Sequence, residues 1–208
     1  MASIIAIEKD GVVYIGADAV KQRCNVKYYM TKESNFTIHK MKNGIIVGTV
    51  GLASVAQQMW LRDELFDLKA GEKFDKRYIV TKIIPQFYEA VKNHSGWKEN
   101  DEVKEIESGF VFVYKSDIYL MYSDLSVKKC NKIGCMSNED EDILFYTYAS
   151  AYMANNPDKS PKEVIKETFK FAASCNRSVN LHGHIINTKD LEFKEMGIIE
   201  WLYSRKKI

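Results

Sequence analysis

The first eighteen residues bring a hydroxyl, an acid and a chain terminus into one neighbourhood. Ser3-Ile4-Ile5-Ala6-Ile7-Glu8-Lys9 and Val12-Val13-Tyr14-Ile15-Gly16-Ala17-Asp18 read as two apolar strands around Asp10-Gly11. Asp-Gly favours the positive φ angles of a type I′ hairpin turn. Lys9 then pairs with Val12, and counting outward along the ladder sets Asp18 opposite Ser3, beside Ala2. A carboxylate delivered to the start of a chain suits catalysis by a first-residue nucleophile, whose free α-amine, or a water held by it, takes the proton. Ala2 has no hydroxyl and cannot attack a carbonyl. Removal of Met1 is expected before so small a residue, which exposes an amine without a nucleophile. Ser3 is the fallback nucleophile only if Ala2 is trimmed as well. Its ordinary role is a strand residue whose hydroxyl supports the site.

Other residue sets carry weaker signals. His182-Gly183-His184 places two imidazoles on one strand face, yet no third ligand stands nearby, so ordinary strand histidines are the better reading and no metal is expected. The run Glu139-Asp140-Glu141-Asp142 reads as a helix N-terminus that complements the dipole, not as a magnesium site. No cofactor motif is present. Cys24, Cys130, Cys135 and Cys175 lack C-x-x-C spacing and are sparse, which predicts reduced thiols and a cytoplasmic protein.

The elements that position these residues alternate in blocks. After a polar stretch, Lys21 to Asn35, a strand over Phe36–Met41 meets an Asn43-Gly44 turn and a continuous apolar strand over Ile45–Gly51, a run that implies burial on both faces. Helices are predicted over Ala53–Leu68 and Arg77–Lys92, the second kinked or delayed by Pro85. In the first of these, Trp60 and Phe66 read as core, with an interface between copies as the alternative. A charged loop over Ser95–Glu107 leads to strands Gly109–Tyr114 and Ile118–Tyr122 and a short strand over Val127–Ile133. Helices follow over Glu139–Asn155 and from Ser160-Pro161-Lys162-Glu163, a capping-box start, to about Cys175. Strands over Leu181–Asn187 and Phe193–Leu202 close the chain. Strand and helix blocks in this order predict sheets covered by helical layers.

Length and composition bound the rest. The 208 residues suit a single domain spanning 1–208, and a net charge of +2 offers no case for nucleic acid or an anionic membrane. The basic end, Ser204-Arg205-Lys206-Lys207-Ile208, reads as a solvated tail. No apolar run reaches membrane-spanning length, and the N-terminus lacks the basic and apolar regions of a signal peptide.

The opening hairpin, the Gly48-Thr49-Val50-Gly51 segment and the order of elements resemble the proteasome β-subunit and HslV-like family of N-terminal-nucleophile hydrolases. The resemblance is strong over Ala2–Asp18 and Ile45–Gly51 and only topological after Gly71. It implies an α+β fold, a four-layer αββα sandwich. It also implies a threonine-type peptidase working inside a self-associated ring, with protein or peptide substrates and an ATPase unfoldase as partner. Residue by residue, it sets Ala2 at the nucleophile, Asp18 at the hairpin aspartate, Gly48 at the oxyanion glycine and Ser3 at the second position. Thr37 then stands where the family carries a lysine, and Cys135, in Gly134-Cys135-Met136, stands for a serine. Lys40 falls on the opposite strand face from Thr37 and His39. Lys32, in the preceding loop, and His39 are the remaining stand-ins for the lost base. The later Asp and Ser-Gly of the family have no clear match in Ser174–Asn180. Ala2 is either a natural loss of catalysis or an engineered Thr-to-Ala change. The readings left open are a peptidase in inactive form, a natural pseudo-peptidase kept as scaffold or regulatory subunit, and an unrelated binding module.

Overall fold

The computed structural model describes residues 3–18, 20–23, 26–29, 37–41, 43–93, 97–99, 104–137, 141–175, 179 and 183–189. Strands β1 (Ser3–Lys9) and β2 (Val12–Asp18) form the hairpin that opens the chain. Asp10 and Gly11 take φ of 54° and 76°, the two positive values a type I′ turn requires. Short hairpin strands β3 (Val20–Arg23) and β4 (Val26–Tyr29) lie where the polar composition predicts no element. Strands β5 (Ile38–Lys40) and β6 (Ile46–Gly51) follow. Their turn differs from the expected two-residue form. Gly44 is left-handed, at φ 77°, while Asn43 is not; the Gly44 N–H reaches the Met41 carbonyl, and the Met41 N–H returns to the Ile45 carbonyl.

The first predicted helix is shorter than its pattern. Helix α1 (Ala53–Trp60) ends before Leu61, and a 3₁₀ turn, Asp63–Phe66, brings Leu65 and Phe66 back to the core. The reason lies in the spacing: continuation would aim Arg62 and Asp63 at the apolar face. Helix α2 (Lys76–Tyr78) runs through a π turn, Ile79–Ile83, into α3 (Ile84–Val91). Pro85 has no N–H for the preceding turn, and one wider turn absorbs the misfit without a break. The predicted charged loop instead holds a small hairpin, β7 (Trp97–Glu99) and β8 (Lys104–Ile106).

Strands β9 (Ser108–Tyr114) and β10 (Asp117–Met121) pair around Lys115-Ser116. The single strand predicted over Val127–Ile133 is in fact two, β11 (Val127–Cys130) and β12 (Ile133–Ser137), and they belong to different sheets. Asn131 and Lys132 carry the chain across. Helices α4 (Glu141–Asn155) and α5 (Pro161–Cys175) precede β13 (Gly183–Asn187). The strand expected over Phe193–Leu202 lies outside the described residues.

The order β12-β1-β2-β13 makes one sheet and β11-β10-β9-β6-β5 the other. Their facing sides share one core, with Ile4, Val13 and Ile15 from the first sheet meeting Ile46, Val111 and Ile118 from the second. On the far side of the five-stranded sheet, Val47, Phe110 and Phe112 pack under α1 to α3. On the far side of the four-stranded sheet, Ile5, Ile7 and Cys135 pack under α4 and α5. The result is helix, sheet, sheet, helix, as the αββα expectation requires. Both sheets are buried on two faces, which explains the unbroken apolar runs. Trp60 and Phe66 are core residues, so the interface alternative for them is set aside.

Candidate functional site

Strand alternation and hairpin register together build the start of the chain. Ile4 pairs with Ala17, so the last step of the ladder sets Ser3 against Asp18. The Ser3 N–H donates to Asp18 Oδ1 at 2.8 Å, and both residues are buried. Ser3 shares its sheet face with Ile5 and Ile7, toward α4. There its hydroxyl donates to Glu141 Oε2 at 3.1 Å, across 138 residues of sequence. Glu141 is buried in the first turn of α4, so it is more than the solvated dipole partner its run suggests. On the other flank of β1, Ser3 pairs with Ser137, whose hydroxyl accepts the Asp142 N–H at 3.1 Å and caps the same helix start.

The second sheet meets this cluster through Thr37. Its buried hydroxyl donates to the Asp18 main-chain oxygen over a long 3.5 Å, and its carbonyl accepts the Thr49 N–H at 2.7 Å. Gly48 lies between Ile38 and Val111 in the ladder, with its missing side chain facing the inner core. A Cβ there would stand 2.9 Å from Ile4 Cδ1, so the glycine lets the two sheets close beside the chain start.

Other candidates stand apart. Cys135 pairs with Ile5 and is buried under the helices. Burial, with the Asp142 carboxylate next in importance, pushes its thiol well above the usual range, so a thiolate nucleophile is disfavoured there. His39 stacks on Trp60 with centroids 5.7 Å apart, and burial lowers its pKa while Asp63 raises it. Lys40 lies opposite Ile46 in β5, and His184 opposite Ala17 in β13. Ala2, Lys32 and His182 lie outside the described residues. Among the described residues, no three His, Cys, Asp or Glu side chains are grouped to hold a metal, and no helix is long and apolar enough to cross a membrane.

A cleft of about 550 Å³ opens at this end of the sandwich, lined by Val50, Leu52, Ser108, Tyr122, Met136 and Ser137. Through Ser137 it adjoins Ser3. The arrangement is therefore a buried polar cluster, with one carboxylate on the Ser3 N–H and another on its hydroxyl, set beside an open cleft. Sequence reasoning finds Asp18 by counting, Thr37 and Gly48 through the resemblance, and misses Glu141.

No protein-family model matches the chain, and no curated protein is similar to it in sequence. Solved structures are similar in fold. The Thiobacillus denitrificans protein BPH aligns with a TM-score of 0.71 at 15% identity, over 93% of this chain and 99% of its own. HslV from Trypanosoma brucei aligns at 0.60 and 12% identity, over 89% of this chain and 98% of its own. A Gly-1 mutant of Anbu from Hyphomicrobium sp. strain MC1 aligns at 0.64 and 9%, over 94% of this chain and 86% of its own. The chain shares the overall fold of these proteins, the four-layer αββα sandwich.

Proposed function

We propose that the chain is a proteasome/HslV-type subunit of the N-terminal-nucleophile kind, built around peptide-bond hydrolysis but carrying Ala2 where the attacking threonine belongs. The observation that supports it most is the Ser3 N–H bound to the Asp18 carboxylate, which ties the start of the chain to the hairpin acid within that fold. Gly48 is assigned to the oxyanion-stabilising backbone and Thr37 to the place of the missing lysine. Cys135 is assigned to the serine position in sequence only. Self-association into a ring, an ATPase unfoldase partner, protein or peptide substrates and a cytoplasmic setting belong to the same reading.

A second reading, a naturally silent subunit kept as ring scaffold or regulator, draws on Thr37 and Cys135. The lysine position holds a neutral side chain, and the serine position holds a thiol kept protonated by burial. One experiment separates the two. Ala2→Thr is made, removal of Met1 is verified by mass spectrometry, and fluorogenic peptides are assayed in parallel with labelling by epoxomicin, the ligand bound in a second BPH structure. Turnover or labelling is the result expected of the peptidase reading. An Ala2→Thr protein that is processed, folded and inert sinks it in favour of the scaffold. Sedimentation of the same sample as a strict monomer counts against the ring in both.

A further inference from the structure

The four-stranded sheet ends at β12. The Glu8 N–H donates to the Lys132 carbonyl at 2.8 Å, and residues bonded to a given partner alternate along an antiparallel ladder. Gly134 and Met136 therefore bond to β1, while Ile133 and Cys135 turn their N–H and carbonyl groups to the other side. Among the described residues no strand pairs with that side. A cleft of about 750 Å³ opens there, within the size range of ligand sites. The inner face of β10 and β11 overhangs it: a Cβ on Gly134 of β12 would stand 3.4 Å from both Leu120 and Cys130, which line the cleft. The facing wall is α4, where Ile143 and Tyr146 lie one turn apart, 67% and 53% exposed. Lys128 and Lys132 stand at the rim, and neither has an ion pair among the described residues. Lys129, beside them, is held by Asp117 at 2.7 Å, and Asp142, at the helix end of the cleft, turns its carboxylate to the Ile143 N–H at 2.8 Å.

We propose that the outer edge of β12 is a docking site for an extended, acidic segment of a partner protein, which adds as a fifth strand between the β10–β11 overhang and α4. Main-chain bonds to Ile133 and Cys135 would supply the pairing, as in other strand additions to a sheet edge. From Ile143 to Ala154 the cleft follows α4 for ~16 Å, the length of about five strand residues. Successive side chains of the added strand face opposite ways, one set toward Leu120 and Cys130 and the other toward Ile143 and Tyr146. Both sets are therefore apolar. Carboxylates at the end of the strand meet Lys128 and Lys132, which is why the partner is acidic. A second copy of this chain fits poorly. Its own β12 is recessed between the same overhang and the same helix, so two such edges cannot reach each other. The inference is independent of the peptidase reading, because Ser3 lies on the β1 side of β12 and the cleft on the other.

The probe is a fluorescein-labelled heptapeptide, Asp-Val-Ile-Thr-Phe-Val-Glu, titrated against the full chain by fluorescence anisotropy. Amide hydrogen exchange is then followed by NMR with and without the peptide. Binding is expected to slow exchange at Ile133 and Cys135 at least ~10-fold, and to leave Gly134 and Met136, already bonded to β1, unchanged. Two N-methylated forms of the peptide, blocked at alternate residues, cover its two edges, and only one of them is expected to lose binding. Lys128→Glu with Lys132→Glu, both at exposed positions, is expected to raise Kd at least ~10-fold. Absence of binding up to about 1 mM peptide overturns the proposal. So does binding that leaves Ile133 and Cys135 unprotected, that survives both N-methylated forms, or that ignores the charge reversal. Sedimentation without peptide covers the remaining occupant: a dimer whose formation protects Ile133 and Cys135 assigns the edge to a second copy and overturns the partner reading. None of these outcomes depends on whether Ala2→Thr turns over peptides.

Discussion

Ser3 and Asp18 meet because a ladder with fixed turn geometry leaves the chain no other register. Asp10-Gly11 sets the zero point, and Ser3 then reaches Asp18 by counting. This contact is legible in sequence because every step of it is local. Glu141 is not. Its bond to Ser3 spans 138 residues and depends on α4 starting directly above β1, which no spacing rule anticipates. The cue was an acid in the first turn of a helix, and that cue has an ordinary explanation in the dipole. His39 is a third case, legible as a titratable residue but not in its surroundings. It lies half-buried against Trp60, and burial, outweighing Asp63, depresses its pKa below the ordinary 6.5. The unfolded chain therefore takes up a proton before the folded one does. Stability is fully present above about pH 6.5 and is lost as pH falls through that value toward the folded pKa. Thermal midpoints at pH 7.5 and 5.5 are expected to differ less for His39→Gln than for the parent protein. An identical acid loss in both would remove His39 from the account.

Elements were legible where their ends carry chemistry and illegible where they do not. Helix α5 is the clear success. Ser160 Oγ accepts the Glu163 N–H at 3.3 Å, and the Glu163 carboxylate accepts the Ser160 N–H at 3.0 Å, a reciprocal capping box with Pro161 at the first position. The Ser160 N–H first, then Lys159 and the Ser160 hydroxyl, hold the Glu163 carboxyl down at about 2. Ser160→Ala is expected to lower stability by ~1 kcal/mol in urea denaturation at pH 7. The difference should shrink as pH falls from the ordinary carboxyl range toward 2, because protonated Glu163 no longer completes the box. A Ser160→Ala protein as stable as its parent at pH 7 contradicts this. The failures lack such signals. Asn131-Lys132 offers one turn-favouring residue and neither glycine nor proline, yet it moves the chain from one sheet to the other, so β11 and β12 read as a single strand. The apolar positions of α1 continue past Trp60, and only the wider gap from Trp60 to Leu65 betrays the change to a 3₁₀ turn.

At the scale of the whole molecule, three apolar layers are stacked with two sheets between them, and each sheet belongs to two layers at once. Ile4 and Ile5 are adjacent in sequence, yet one serves the inter-sheet core and the other the α4–α5 layer. Val47 and Ile46 divide in the same way between the α1–α3 layer and the inter-sheet core. Loosening an outer layer therefore exposes one face of a sheet whose other face holds the middle core. That sharing predicts a single cooperative unit across the two sheets and their helical layers, although those layers never touch the same sheet face. Phe87 and Phe169 test it from opposite sides. Phe87 packs edge-on to Phe110 with centroids 5.2 Å apart, and Phe169 packs edge-on to Phe145 at 5.1 Å. Each is buried, so truncation to alanine should cost ~3–5 kcal/mol. If the layers are coupled, Phe169→Ala lowers hydrogen-exchange protection under α1 to α3 as much as under α4 and α5, and Phe87→Ala does the converse. Urea unfolding of either variant stays a single transition with the parent's m-value. Loss of protection confined to the mutated side, or a second transition, would mean that the halves unfold separately. The chain start would then be held by β1, β2 and α4 alone, and Thr37 and Gly48, which belong to the other sheet, would have no fixed place beside it.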